Sequence, residues 1–302
     1  MKKLSVIIAG AALGLMQAAY AAPDVAAFMK QRSWDAYDSR NKAIMPLDDV
    51  AVVTYFAKGA NAPSCGLLQA QEPKFIEILS AEEGDQYPQC TGVNDAAAFE
   101  LGGKKYLVLT YTDRETREDS YQKFFFAYQN SSGAYVADEK LNDATAPAEA
   151  SHRKAAPVRK AAEGIKLAKA AYFKAGVPAA ELLERDLIAD ETSAFAVFKV
   201  KNAPVCTFAL DAGQGIKTYD SNQFAANAGC KAFLASGRQQ KNDVIYYIGI
   251  FDSMAAGRKL ALFSIPKGHF EIKAETELAA AITQAGSAAD IKSVKKYLSE
   301  KK

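Results

Sequence analysis

Two histidines, four cysteines and several carboxylate clusters are the side chains of this sequence whose types could support chemistry. A zinc site takes three or four ligands at workable spacing. His152 and His269 lie far apart, and with Cys65, Cys90, Cys206 and Cys230 expected to be oxidised the set cannot supply one. Nucleophilic catalysis needs a serine or cysteine within reach of a base that a third group orients. His269 follows a Lys267-Gly268 turn at the start of an expected strand, but no Gly-x-Ser-x-Gly elbow presents a serine to it. Gly213-Gln214-Gly215 lacks the third glycine, the Lys-Ser/Thr pair and the following helix of a phosphate loop, so it reads as a hairpin turn. Asp48-Asp49 and Asp190-Glu191 each precede a strand. Adjacent residues on an extended chain point opposite ways, which does not suit the facing carboxylates of a glycosidase. No catalytic set, metal or cofactor is expected.

The charged clusters suit binding better. Glu82, Glu83 and Asp85 form one acidic group, and Asp113, Arg114, Glu115, Arg117, Glu118 and Asp119 form a second, mixed one. Both fall where loop tips are expected, and they are the candidate binding residues. A basic segment follows, with Arg153, Lys154, Arg159, Lys160, Lys166, Lys169 and Lys174 interleaved with alanines. On a helix, Arg159, Lys166 and Lys169 share a face opposite Ile165 and Tyr172, and that face is expected to be solvated. It lacks the large apolar face of a membrane-surface helix, so neither membrane contact nor nucleic acid is expected. Charge is divided along the chain. Residues Pro23 to Pro147 hold 12 Lys and Arg against 19 Asp and Glu, a net of −7, while Ala148 to Lys302 hold 23 against 16, a net of +7. Such asymmetry favours docking of the two halves, or steering of a partner.

The elements that would position these groups emerge from an internal repeat. Ala62-Pro63-Ser64-Cys65 recurs as Ala203-Pro204-Val205-Cys206, and Cys90 and Cys230 follow the respective first cysteines at nearly equal spacing. An apolar strand comes next in each copy, Tyr106 to Tyr111 and Tyr246 to Phe251. Then Phe124 to Tyr128 turns at Ser132-Gly133, as Leu260 to Ile265 turns at Lys267-Gly268 into His269 to Ile272. Order kept over so long a stretch indicates duplication of a whole module rather than a solenoid. Each copy once had to fold with its own staple, so Cys65 pairs with Cys90 and Cys206 with Cys230. A bridge closing ~25 residues stabilises by about 3 kcal/mol. Aromatic and β-branched runs between turn signals such as Gly102-Gly103 and Asp211-Ala212-Gly213 predict short antiparallel strands. Helices are expected over Asp24 to Arg40, Ala161 to Lys174, Ala179 to Ile188, and from a capping box at Ser287-Ala288-Ala289-Asp290 onward, with Ile291, Val294 and Leu298 as its apolar stripe.

The fold class is therefore α+β: two tandem divergent repeats, each a mainly antiparallel sheet of about six strands with one or two helices and one internal disulfide. Met1-Lys2-Lys3, an apolar run and Ala19-Tyr20-Ala21 form a cleavable signal peptide over residues 1–21. The first module spans 22–141, an Ala- and Pro-rich linker 142–158, and the second module 159–302. Export with an even cysteine count places the chain in the periplasm. The expected function is non-catalytic binding of another protein, as an inhibitor or immunity-type protein that blocks an envelope-acting enzyme or toxin through the acidic tips. The alternatives are a structural component of the envelope that uses the basic segment, and an unrecognised hydrolase with His269 as its base.

Overall fold

The structure, a computed structural model, describes residues 25–38, 44–47, 49–69, 74–80, 89–116, 119–146, 150–152, 158–177, 180–182, 187–189, 193–200, 204–224, 229–255 and 257–300. The signal-peptide segment lies outside them. A short helix α1 (Val25–Gln31) leads into the first sheet, made of β1 (Trp34–Ala36), β2 (Ile44–Leu47), β3 (Val50–Ala57), β4 (Ser64–Gln69) and β5 (Lys74–Leu79). The second sheet holds β6 (Cys90–Leu101), β7 (Lys104–Arg114), β8 (Ser120–Gln129), β9 (Tyr135–Ala137) and β10 (Ala150–His152), with α2 (Glu139–Thr145) before its last strand. After α3 (Ala161–Gly176) comes the third sheet: β11 (Ala180–Leu182), β12 (Ile188–Ala189), β13 (Ala194–Val200), β14 (Cys206–Asp211) and β15 (Ile216–Asp220). The fourth holds β16 (Ala232–Lys241), β17 (Val244–Asp252), β18 (Arg258–Pro266) and β19 (Lys273–Ala274), and α4 (Thr276–Gln284) and α5 (Ile291–Glu300) close the chain. Pairing is antiparallel throughout these four sheets, and the arrangement is compatible with two repeat halves.

Side-chain alternation explains the layers. In the first half Val50, Val52 and Leu67 of the first sheet meet Leu107, Leu109 and Phe125 of the second. Phe124 and Phe126 point the other way, where Leu141 of α2 and Ala161 and Ala168 of α3 cover them. The outer face of the first sheet packs Val53 and Tyr55 on Met29 of α1. In the second half Phe195, Phe208, Tyr247 and Phe263 fill the space between sheets. Phe173 of α3 covers the third sheet's outer face, and Ile282, Val294 and Leu298 of α4 and α5 cover the fourth's. Each half is thus a two-sheet sandwich with helices outside, and α3 lies between the halves, touching both. Gly164 allows this approach, because a Cβ there would sit 2.7 Å from Val108 and 2.8 Å from Phe124.

Both disulfides form within a half, Cys65–Cys90 and Cys206–Cys230, with Cα atoms 5.9 and 5.4 Å apart. The first ties β4 to β6 and so joins the two sheets of its sandwich; the second links β14 to the residue two before β16. Such bridges suit an oxidising compartment. Among the described residues no helix is long and apolar enough to cross a membrane.

Several elements differ from the sequence expectation. Each half splits its strands over two sheets rather than one, because the alternating runs are apolar on both faces and must be covered on both. The opening helix stops at Gln31, since Ser33 takes a positive φ of 57° and Trp34 turns into β1 to stack on Tyr55 at 3.8 Å. Residues 180–182 and Ile188, expected in a helix that ends at 188, lie in the strands β11 and β12, which pair with β13. The stretch 142–158 contains the end of α2 and the strand β10, which pairs with β8. At the C terminus the cap is Asp290, whose Oδ1 accepts from the Ser293 amide at 2.7 Å, while Ser287–Ala289 forms a 3-10 turn. The apolar stripe of α5 is as expected, with Val294 and Leu298 buried.

Candidate functional site

Of the charged residues singled out in the sequence, Asp113, Arg114, Glu115 and Asp119 lie at one end of the β7–β8 pair. Glu82, Glu83, Asp85, Arg117 and Glu118 lie outside the described residues. Cys90 pairs with Asp113 across the ladder, and the Arg114 amide donates to the Gln89 carbonyl at 2.6 Å. The start of β6 is therefore bonded to the end of β7, where Asp113 and Arg114 lie, beside the Cys65–Cys90 bridge. Thr116 and Asp119 clasp the turn: the Asp119 amide donates to Thr116 Oγ1 at 2.9 Å, and the Thr116 amide donates to the Asp119 carbonyl at 3.4 Å.

The roles within this end are unequal. Asp113 is not at a loop tip; it belongs to β7, is 4% exposed, and meets Lys123 Nζ at 2.5 Å. Burial raises its carboxyl pKa above the ordinary value, outweighing the opposing pull of Lys123. Lys123 also reaches Glu115, at 3.6 Å, and Glu115 is exposed. One lysine thus couples a buried carboxylate to a surface one. Arg114 and Asp119 are half-buried.

The expected solvated face of the basic helix does not exist as a unit. Lys169 is 1% exposed, and its Nζ donates to the Ser193 carbonyl at 3.4 Å. The Ser193 hydroxyl in turn lies 2.7 Å from the Tyr247 hydroxyl. Arg159 lies over Phe124 at 5.0 Å and pairs with Glu163 at 3.6 Å. Lys166 and Lys174 remain exposed. The cause is the position of α3 between two sandwiches, which leaves it little free circumference.

Turn signals that look local in the sequence prove to be contacts between halves. Asp211 Oδ1 accepts from the Gly213 and Gly215 amides at 2.8 and 3.3 Å, which makes the expected hairpin turn, and its Oδ2 accepts from Gly102 at 3.2 Å. Gly103, with φ +75°, lies so close to the Gly213 carbonyl that a Cβ would come within 2.6 Å. Tyr172 covers Gly102, and burial together with the nearby Asp211 carboxylate pushes its hydroxyl pKa up to about 12. Asp95 bridges the halves as well, accepting from the Ala161 amide at the start of α3 at 3.0 Å.

His269 is exposed on irregular chain between β18 and β19, not on a strand, because pairing resumes only at Lys273. Among the described residues no three His, Cys, Asp or Glu gather as they would around a metal ion. The sequence reading passed over Arg238, Gln240 and Phe270, which line a cleft beside α3. Arg238 and Gln240 oppose Tyr247 and Ile245 and so share their face of the sheet, Arg238 half-buried and Gln240 exposed.

No family model and no curated protein matches the chain. Among solved structures it is similar to an exo-1,5-alpha-L-arabinanase from a bovine ruminal metagenomic library, with 8% identity, a TM-score of 0.23, and coverage of 77% of this chain and 76% of that one. It is also similar to the Bombyx mori GH32 beta-fructofuranosidase BmSUC1, with 9% identity, a TM-score of 0.22, and coverage of 77% and 47%. A thermostable family-43 glycoside hydrolase is a third, with 10% identity, a TM-score of 0.21, and coverage of 82% and 78%. Likenesses this slight carry no weight for fold or for chemistry.

Proposed function

We propose that the protein is a non-catalytic binding protein of the periplasm, delivered by a cleaved signal peptide, that docks a protein partner through the disulfide-anchored end of β6, β7 and β8. The observation that carries this is the joining of Gln89 and Cys90 to Arg114 and Asp113, which ties the charged end of β7 to the Cys65–Cys90 bridge. A surface held in place before contact loses little conformational entropy on binding. Acidic groups there speed and select encounters with a basic partner. The inhibitor or immunity type fits this arrangement, with an envelope-acting enzyme or toxin as the partner. The structural alternative draws less support, since Lys169 is buried and Arg159 is engaged with Phe124 and Glu163. The hydrolase alternative also draws less support, since His269 is exposed on irregular chain.

Affinity capture with the mature protein from periplasmic extract, followed by assay of the captured enzyme or candidate toxin with and without the protein, tests the proposal. The expected result is stoichiometric loss of the partner's activity, abolished by Glu115→Lys together with neutralisation of Glu82, Glu83 and Asp85. Capture that survives those changes, or no partner and no protection from any toxin, would overturn it.

A further inference from the structure

The duplicated corner beside each bridge is built differently in the two halves. Arg114 and Met254 stand the same number of residues after the second cysteine of their half, and each meets the residue just before that cysteine. In the first half the contact is a backbone bond, from the Arg114 amide to the Gln89 carbonyl. In the second a thioether side chain makes it: a Cβ on Gly229 would stand 2.8 Å from Met254 Cγ and 3.3 Å from its Cβ. Met254 therefore lies over Gly229, in the turn between β17 and β18, and is still 60% exposed. Met29 of α1, by contrast, is 4% exposed. At the same corner the Cys230 amide donates to the Pro204 carbonyl at 2.6 Å, and the Gly229 amide donates to Asn222 Oδ1 at 3.1 Å. These bonds hold the chain beside both cysteines of the buried Cys206–Cys230 bridge.

We infer that Met254 is a site of reversible oxidation by hypochlorous acid, and that its oxidation loosens the corner that carries Cys206–Cys230. A surface thioether is oxidised to the sulfoxide, and methionine sulfoxide reductases restore it. The sulfur gives an electron pair to the chlorine of the oxidant; the oxygen ends on sulfur, and chloride and a proton leave. A flexible apolar side chain thereby becomes a polar one whose new oxygen accepts hydrogen bonds. The Gly229 and Cys230 amides are already engaged, so the sulfoxide is better solvated by turning away from Gly229 into water. The corner then opens more often, and a buried disulfide is reduced through such openings. Arg114 carries no sulfur at the equivalent place, which makes Cys65–Cys90 an internal control. The inference stands independently of partner docking at the charged end of the first half.

Peptide mapping by mass spectrometry of the full mature protein, treated with limiting hypochlorous acid, reads the site. Met254 should gain one oxygen about tenfold faster than Met29, and methionine sulfoxide reductases should remove it. Reduction by dithiothreitol, with alkylation of the freed thiols before mapping, reads the corner. After oxidation Cys206–Cys230 should open to the reductant at least about threefold faster, while Cys65–Cys90 keeps its rate. Repair by the reductases should restore the slow rate. Met254→Leu, which removes the sulfur from an exposed position, should make that rate indifferent to the oxidant; circular dichroism establishes that the variant is folded, and the repair experiment decides if it is not. Equal oxidation of Met254 and Met29, a product that the reductases leave in place, or an unchanged Cys206–Cys230 rate would each overturn the inference. So would equal acceleration at both bridges, or acceleration that persists in Met254→Leu.

Discussion

The two halves solve the same covering problem with different means. In both, a meander of long strands buries one face in the sandwich and needs helices on the other. The fourth sheet is covered by α4 and α5, which follow it directly in the chain. The second sheet has only the short α2 of its own and takes the rest of its cover from α3, which lies beyond the Ala- and Pro-rich stretch and also packs Phe173 on the third sheet. One half is therefore self-sufficient and the other borrows. Duplicated modules with equal staples need not be equally autonomous.

The largest effect should come from separating them. Residues 22–158 expressed alone would leave much of the Val108, Phe124 and Phe126 face open to water, and each fully exposed side chain of this kind forfeits about 1.5–3 kcal/mol. That fragment should aggregate or show collapsed amide dispersion by NMR, whereas 22–177, which regains α3, and 159–302 should each fold. A well-folded 22–158 fragment would erase the asymmetry. Next in size is loss of a bridge. Replacing Cys65 and Cys90 by serine, or Cys206 and Cys230, should each lower unfolding free energy by about 3 kcal/mol in denaturant titration, since the loops closed are nearly equal. A much larger loss in the second half would mean that the covering helices do not set the ranking. Smaller again is Asp211→Ala. It strands the amides of Gly102, Gly213 and Gly215 and should cost about 1–3 kcal/mol, with hydrogen exchange accelerated at Gly102 in the opposite half.

Much of the layout was legible because its causes are local. Cysteine spacing and the Ala-Pro-x-Cys echo pointed to both disulfides, and aromatic and β-branched runs between turn signals pointed to the strands at Tyr106, Phe124, Tyr246 and Leu260. What could not be read were the groups whose partners come from distant chain. Charge alone marks a residue as exposed, yet Lys169 is buried beneath the Ser193 carbonyl and Asp113 beneath Lys123. The split into two sheets per half was equally hidden, since a run apolar on both faces does not say whether a helix or a second sheet covers each one. For the candidate site, the sequence marked Asp113 and Arg114 as charged but not their tie to the start of β6, because the bond from Arg114 to Gln89 depends on β6 and β7 pairing in register.

Asp113 offers the finest test, because it marks where the first half's charged end departs from an ordinary surface. Its folded carboxyl pKa lies above the unbound value of 3.8, and burial is the main cause. Between those two values the folded state holds a proton that the unfolded state has released, so stability falls as pH rises through that window. Asp113→Asn has no such term. The variant's unfolding free energy relative to wild type should therefore be constant below pH 3.8, increase as pH climbs, and level off once folded Asp113 has ionised. Urea titrations at matched ionic strength across the acid range measure it. If the difference shrinks instead, the ion pair with Lys123 outweighs desolvation, and the charged end is held by electrostatic attraction instead of being strained by it.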